Sequence, residues 1–266
     1  MTTKRSHTIR ALAGSGALIA SLALAGGAQA ATNDNDHDGL SNSFEIYKSH
    51  TNPNRADTNH NGIPDGRENP DHDRLTNLQE QAAHLNPLRA DTDGDGRPDW
   101  AEDNDHDGLN TQNEFKAHEN PLVADTNHNG VLDGREDSDH DGLTNHQEQG
   151  VGTNPGDADT DNDGTTDGNE DADHDGLSNE FELDDSHTSP VSSDTDHDGV
   201  KDGAEDPDGD GVSNGQEEDN GTDPTDADTD NDGIPDGEDT GEDASPAPTA
   251  TPTDAPAPTA LVFTIG

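Results

Sequence analysis

Apolar residues divide the chain into three unequal stretches. Ala11 to Leu24 is built of apolar and small residues and follows a basic start at Lys4, Arg5 and Arg10. From Asp34 to Asp239 apolar side chains stand singly among Asp, Asn and Gly, and the last six residues, LVFTIG, are again mostly apolar. The first stretch closes on Ala28-Gln29-Ala30, a small-x-small end that fits a signal peptide over residues 1–30 and a mature chain beginning at Ala31. A single membrane helix is the other reading, but an apolar run of about 14 residues is too short to span comfortably. No second hydrophobic run follows, so no membrane span is expected in the mature chain.

In the middle stretch the pattern predicts only short helical turns. Leu40 with Phe44, and Leu177 with Phe181, fall at i, i+4 and would pair on one face. Asn42-x-x-Glu45, Asn77-x-x-Glu80, Asn145-x-x-Glu148 and Asn179-x-x-Glu182 resemble capping boxes. Pro53 and its equivalents stop each helix after about two turns. So few apolar groups suit small local clusters rather than a shared core. From Ala244 the sequence turns to ASPAPTATPTDAPAPTA, which predicts a disordered Pro/Ala/Thr-rich tail over 244–266 and a glycosylation substrate. Its end, Leu261 to Gly266, is too short for a membrane anchor.

Composition sharpens this. Only 23% of the 266 residues are hydrophobic and 2% aromatic, and the net charge is −50. Such a chain cannot offset its conformational entropy by burial, and disorder is the default. Disulfides cannot change that, because there is no Cys. Bound metal can. The charge also repels nucleic acid and leaves cations or basic surfaces as natural partners.

Internal repetition then dominates. A pattern D-x-D-x-D-G-L-x-N-x-x-E starts at Asp34, Asn69, Asp103, Asp137, Asp171 and Asp206. A second, D-T-[DN]-x-[DN]-G-x-x-D-G-x-E, starts at Asp57, Asp91, Asp125, Asp159, Asp194 and Asp228. Each second-type loop abuts the next first-type loop, giving six units of about 34 residues between Asp34 and Asp239, inside an expected array over 31–243.

The pattern is that of oxygen cages. A hard cation of the size of Ca²⁺ takes six to eight oxygens, and ligands at alternate positions can wrap it. Side chains at positions 1, 3 and 5, the backbone carbonyl of residue 7 and an acid at position 12 complete such a shell, with Gly at position 6 for the turn. The first-type loops supply Asp34, Asp36, Asp38, Leu40 and Glu45; Asn69, Asp71, Asp73, Leu75 and Glu80; Asp103, Asp105, Asp107, Leu109 and Glu114; Asp137, Asp139, Asp141, Leu143 and Glu148; Asp171, Asp173, Asp175, Leu177 and Glu182; Asp206, Asp208, Asp210, Val212 and Glu217. The second-type loops supply Asp57, Asn59, Asn61, Ile63 and Glu68; Asp91, Asp93, Asp95, Arg97 and Glu102; Asp125, Asn127, Asn129, Val131 and Glu136; Asp159, Asp161, Asp163, Thr165 and Glu170; Asp194, Asp196, Asp198, Val200 and Glu205; Asp228, Asp230, Asp232, Ile234 and Asp239. Oxygen-only ligands in this number favour calcium over zinc, copper or magnesium, with up to twelve ions.

The loops are not equal. Arg74 stands where the Asn69 loop should have Gly, and a strained, positively charged turn is expected to leave that site weak or empty. The Asp57 and Asp125 loops carry Asn at positions 3 and 5, which lowers the charge on the ion, and the last loop ends in the shorter Asp239. Eight His residues occupy loop position 4, where they should face away from the ion. His50, His84, His118 and His187 alternate with Gly152 and Gly221 before the spacer, as a turn or helix C-cap would. Trp100 replaces a Gly, and the pattern offers no reason beyond a locally packed ring.

The units at 137–170 and 171–205, with their acidic loops and Thr-Asn-Pro or Thr-Ser-Pro spacers, resemble thrombospondin type-3 repeats in the form found in exported bacterial proteins. The likeness covers about 34–239. It implies an irregular, calcium-stabilised tandem-repeat array with short helical turns, little regular secondary structure and a wire-like course around its ions. It also implies a place in extracellular adhesion or matrix, with cell-surface or matrix proteins or glycans as partners, either free or associated with the cell envelope. The chain departs from the animal repeats in having no Cys to staple them.

The expected function is therefore a secreted, non-enzymatic calcium-binding spacer, matrix or adhesion component, with an extracellular calcium buffer as the alternative. EF-hand pairs need longer flanking helices, and glycine-rich nonapeptide repeats are absent. Every dense acidic cluster belongs to the repeat, so no enzyme is expected.

Overall fold

The computed structural model describes residues 33–239; the expected signal peptide over 1–30 and the tail over 244–266 lie outside the described residues. Six units follow one another: unit 1 over 34–68, unit 2 over 69–102, unit 3 over 103–136, unit 4 over 137–170, unit 5 over 171–205 and unit 6 over 206–239. There is no strand among the described residues, only short helices and turns. The structure is the irregular repeat array that the resemblance implies.

Each first-type loop runs into a helix. These are α1 (Asn42–Phe44, continued by a π turn over Glu45–Ser49), α2 (Asn77–Ala83), α3 (Thr111–Ala117), α4 (Asn145–Val151), α5 (Asn179–Phe181, continued over Glu182–Ser186) and α6 (Asn214–Asn220). In units 1 and 5 the spacer holds one extra residue, and the wider π turn accommodates it. Second-type loops in units 1 to 5 end in a 3-10 turn, as over Asp65–Arg67 and Asp133–Arg135.

The helix caps sit one residue earlier than the Asn-x-x-Glu spacing suggests. Thr76 and Thr144 are the N-caps of α2 and α4, and their capping boxes close on Gln79 and Gln147 rather than on a Glu. The Asn that follows each cap is released for another task. Asn77 Nδ2 donates to Asp65 O in the unit before (2.7 Å), and Asn145, Asn179 and Asn214 do the same to Asp133, Asp167 and Asp202. Unit 3 has Thr111 at that place, and its hydroxyl donates to Glu102 O at 2.9 Å. Consecutive units are thus tied through backbone carbonyls that also accept a backbone N–H, from Glu68, Glu136, Glu170, Glu205 or Thr111.

At the far end, His50, His84, His118, His187, Gly152 and Gly221 are left-handed C-caps. The loop-position-4 histidines are left-handed too, with φ between 62° and 67°, and Asn162 and Asn231 replace them in two loops. A residue there must tolerate positive φ, which His and Asn do better than most side chains.

A second bond joins units in pairs. Gln81 of unit 2 accepts the Ser41 N–H of unit 1 (2.8 Å) and returns its amide to Gly39 O (3.2 Å). Gln149 of unit 4 does the same with Asn110 and Gly108 of unit 3, and Glu218 of unit 6 accepts from Ser178 of unit 5. In units 2, 4 and 6 the equivalent N–H of Thr76, Thr144 and Ser213 is served within its own unit by Gln79, Gln147 and Gln216. The joint therefore alternates along the chain.

Burial is equally local. Leu40, Leu75, Leu109, Leu143, Leu177 and Val212, at first-type position 7, are buried, whereas Ile63, Val131 and Val200 at second-type position 7 are exposed. Leu75, Ala83 and Leu85 form one cluster, against which Trp100 and Phe115 pack. Gly66 and Gly168 lie so close to the preceding first-type loop that a Cβ would stand 2.5 Å from Asp38 O or Asp141 O. In unit 2 this place holds Trp100.

Candidate metal centres

Each first-type loop is curled by its own carboxylates. Asp34 accepts the N–H groups of His37 (2.7 Å) and Gly39 (3.2 Å), and Asp38 accepts that of Leu40 (2.8 Å). Asp103 and Asp107 repeat this in unit 3. The left-handed residue at position 4 and the Gly at position 6 let the chain turn tightly enough for these bonds. Positions 1 and 5 are thereby partly committed to the backbone, whereas at position 3 only Asp71 and Asp208 accept a backbone N–H, from Asp73 (3.4 Å) and Asp210 (3.2 Å). Both carboxylate oxygens of Asp36, Asp105, Asp139 and Asp173 are buried without any donor.

The acid at position 12 completes the arrangement. Glu45, Glu80, Glu114, Glu148, Glu182 and Glu217 are all fully buried. Thr51, Thr153, Thr188 and Thr222 each reach the Glu of their unit with a hydroxyl, at 3.2–3.5 Å. In units 2 and 3 Leu85 and Glu119 replace that Thr, and both oxygens of Glu80 and Glu114 have no partner.

A further acid, outside the expected ligand set, enters each cage from the following second-type loop. Oxygens of Asp38, Glu45 and Asp65 lie within 4.8 Å of one another, although Asp65 is position 9 of the next loop. Asp65 is fully buried and held by Thr58, which donates its N–H (2.9 Å) and its hydroxyl (2.7 Å). Thr58 Oγ1 in turn accepts the Asn52 N–H at 2.8 Å. The same relay fixes Asp99, Asp133, Asp167, Asp202 and Asp236. The signal for these residues was present, since every second-type loop has Asp at position 9 and Thr at position 2, but the spacing within one loop gave no reason to look to the loop before.

Electrostatics shows the same grouping. Burial, and then the charges of Asp139, Asp141 and Asp167, push Glu148 up to about 9. Glu80 and Glu114 are also raised to about 9, by burial first and then by Asp71, Asp73 and Asp99, or by Asp105, Asp107 and Asp133. Glu182 rises to about 8, and Glu45 and Glu217 to about 7, from burial and the corresponding neighbours. In unit 3 Glu119 is raised to about 7 by burial and by Asp133 and Glu136, which adds another acid that the pattern did not reveal.

The second-type loops are shallower. Asp91, Asp93, Asp95 and Glu102 bring oxygens within 4.8 Å of one another, and Glu102 is raised to about 7 by burial and by its acidic neighbours. Glu170 is raised by burial and then by Asp161, Asp167, Asp163 and Asp159, and Glu205 by burial and then by Asp196, Asp202, Asp198 and Asp194. Asp228 and Asp230 accept the N–H of Asp232, while Asp239 lies exposed at the end of its loop. In the Asp57 and Asp125 loops, Glu68 and Glu136 accept hydrogen bonds from Asn side chains.

The Asn69 loop keeps its convergence despite Arg74. Asp71, Asp73 and Glu80 share oxygens within 4.8 Å. Arg74 takes φ 84°, as its place in the turn demands, and its guanidinium lies over the Trp100 ring rather than in the cage.

Buried carboxylate oxygens with no donor are costly unless a cation meets them. All the donors are oxygens, which suits calcium: when bound, it would neutralise carboxylates that otherwise repel one another. Asp36, Asp38, Glu45 and Asp65 would hold it in unit 1, and their counterparts would do so in later units. No helix among the described residues is long and apolar enough to cross a membrane. No curated protein and no solved structure matches the chain. The family model of the bacterial TSP3 repeat matches residues 34–56, 206–227 and 228–238, so these segments of units 1 and 6 are similar to bacterial TSP3 repeats.

Proposed function

We propose that the chain is an exported, non-enzymatic spacer of the cell exterior whose repeat array is folded and stiffened by calcium. The observation that carries this reading is the composite cage. A buried Glu, two Asp of its own loop and one Asp of the next loop meet in every unit, so a cation held there ties two loops together. A buffer needs only affinity, and ligands shared between loops favour the array over the buffer, because binding is then coupled to folding. Repeats that contact only their neighbours make an object whose length follows copy number. Adhesion or matrix partners would bind such a spacer from outside the cages.

Small-angle scattering and limited proteolysis of the chain, with calcium and with a chelator, test this. A compact, protease-resistant array with calcium and a swollen, rapidly cleaved chain without it is the expected pair of results. Identical scattering and cleavage in both conditions would exclude the proposal.

A further inference from the structure

We infer that the loops over 57–68 and 125–136 take no calcium and are held closed by their own side-chain amides. The inference rests on the calcium reading of the other loops and narrows it. In loops with Asp at positions 3 and 5, one oxygen of each carboxylate accepts a backbone N–H and the other remains available. Asp161 Oδ1 accepts the Asp163 N–H (3.0 Å), and Asp163 Oδ1 accepts the Thr165 N–H (2.8 Å). The Asn loops make the same backbone bonds. Asn59 Oδ1 accepts from Asn61 N (2.9 Å), and Asn61 Oδ1 from Ile63 N (2.7 Å). Asn127 and Asn129 repeat this at 3.0 and 2.7 Å.

These bonds fix which way each amide faces. A backbone N–H needs an oxygen, so the carbonyl end of each Asn is turned to the backbone and the NH₂ end takes the direction in which an Asp would present its free oxygen. The NH₂ groups then do what a cation would do. Asn59 and Asn61 both donate to Glu68 Oε1, at 2.6 and 2.7 Å. Asn127 and Asn129 both donate to Glu136 Oε1, at 2.8 and 2.6 Å, and Asn127 also reaches Oε2 at 3.0 Å. Two donors on an ionised acceptor make strong hydrogen bonds, and a cation entering there would meet donors instead of ligands.

The closed loops have a use for their neighbours. Asp65 and Asp133 belong to them, and each is an acid of the cage before it. A loop that closes without an ion holds that acid in place beforehand, so the unit 1 and unit 3 cages are partly assembled before calcium arrives.

Native mass spectrometry of the full chain saturated with calcium, supported by calorimetric titration, counts the ions. Glu68→Gln and Glu136→Gln keep an oxygen for the amides and should leave the count unchanged, while Glu148→Gln in a cage should lower it by one. Asn59→Asp with Asn61→Asp, and Asn127→Asp with Asn129→Asp, should each raise it by one. Loss of an ion from Glu68→Gln or Glu136→Gln overturns the inference, and so does an unchanged count in both paired Asp variants. A wild-type chain that takes up no calcium falls instead on the function proposed above.

Discussion

The guanidinium of Arg74 lies over the Trp100 ring, 4.3 Å from its centroid. Both residues stand where other units have Gly, Arg74 at the turn of a first-type loop and Trp100 at the close approach of a second-type loop. The two departures explain each other. The ring gives the cation a place outside the cage, and with Phe115 it packs on the Leu75, Ala83 and Leu85 cluster.

A double-mutant cycle on Arg74→Ala and Trp100→Ala should therefore show coupling of about 0.5–1 kcal/mol in calcium-saturated denaturation followed by circular dichroism. Trp100→Ala alone should cost about 2–3 kcal/mol, since a half-buried ring loses its packing. Strict additivity of the two single effects would mean that the stacked pair contributes nothing.

Calcium uptake by cages that are already folded should release protons. The buried glutamates have folded-state pKa values of about 7 to 9 without the ion, raised from 4.5 by burial and neighbouring carboxylates. A raised carboxylate pKa means that the metal-free fold binds more protons than the unfolded chain between about pH 4.5 and 9, so its stability falls as pH rises through that window. Calcium affinity should rise over the same interval. Calorimetry at pH 7 in buffers of different ionisation enthalpy measures the proton count, and heats that do not depend on the buffer would show that the glutamates are not buried before the ion binds.

Asp167→Asn should weaken calcium binding in the first-type loop of unit 4, which ends at Glu148, although Asp167 lies outside that loop. The effect expected for a substituted supporting acid is about 10- to 100-fold on one site. Competition with a chromophoric chelator would read it. Thr160→Val should give a smaller loss in the same site, because it removes the hydroxyl that holds Asp167 at 2.7 Å.

The left-handed C-caps allow a stability test that leaves every cage intact. His118 sits at φ 66°, so His118→Gly should raise the melting temperature in saturating calcium, by an amount equivalent to about 1 kcal/mol. His118→Val should lower it by at least as much, because a β-branched side chain is strained there. Equal melting temperatures for the two variants would show that the cap conformation does not matter.

Much of this was legible in the sequence because the repeat compares the chain with itself. The period, the two loop types, helices of about two turns and the C-cap role of His50 and its counterparts all follow from positions that recur. What was not legible depends on contacts between loops. Asp65 belongs to the cage of Glu45, yet no spacing rule within a twelve-residue loop links them. The Asn of each helix resembled a cap because Asn-x-x-Glu fits the cap spacing, whereas Asn77 is spent on Asp65 O and Thr76 caps. Trp100 had no visible partner because Arg74 lies a whole loop away.

The alternating bracket of Gln81, Gln149 and Glu218 bears on how such a gene can lengthen or shorten. Excising residues 69–102 would set Ser41 opposite Phe115, which cannot accept its N–H, and would leave a seam at the new joint. Excising 69–136 would set Ser41 opposite Gln149, and the seam would close as it does now. Removal of two units at a time therefore preserves this joint, whereas removal of one breaks it.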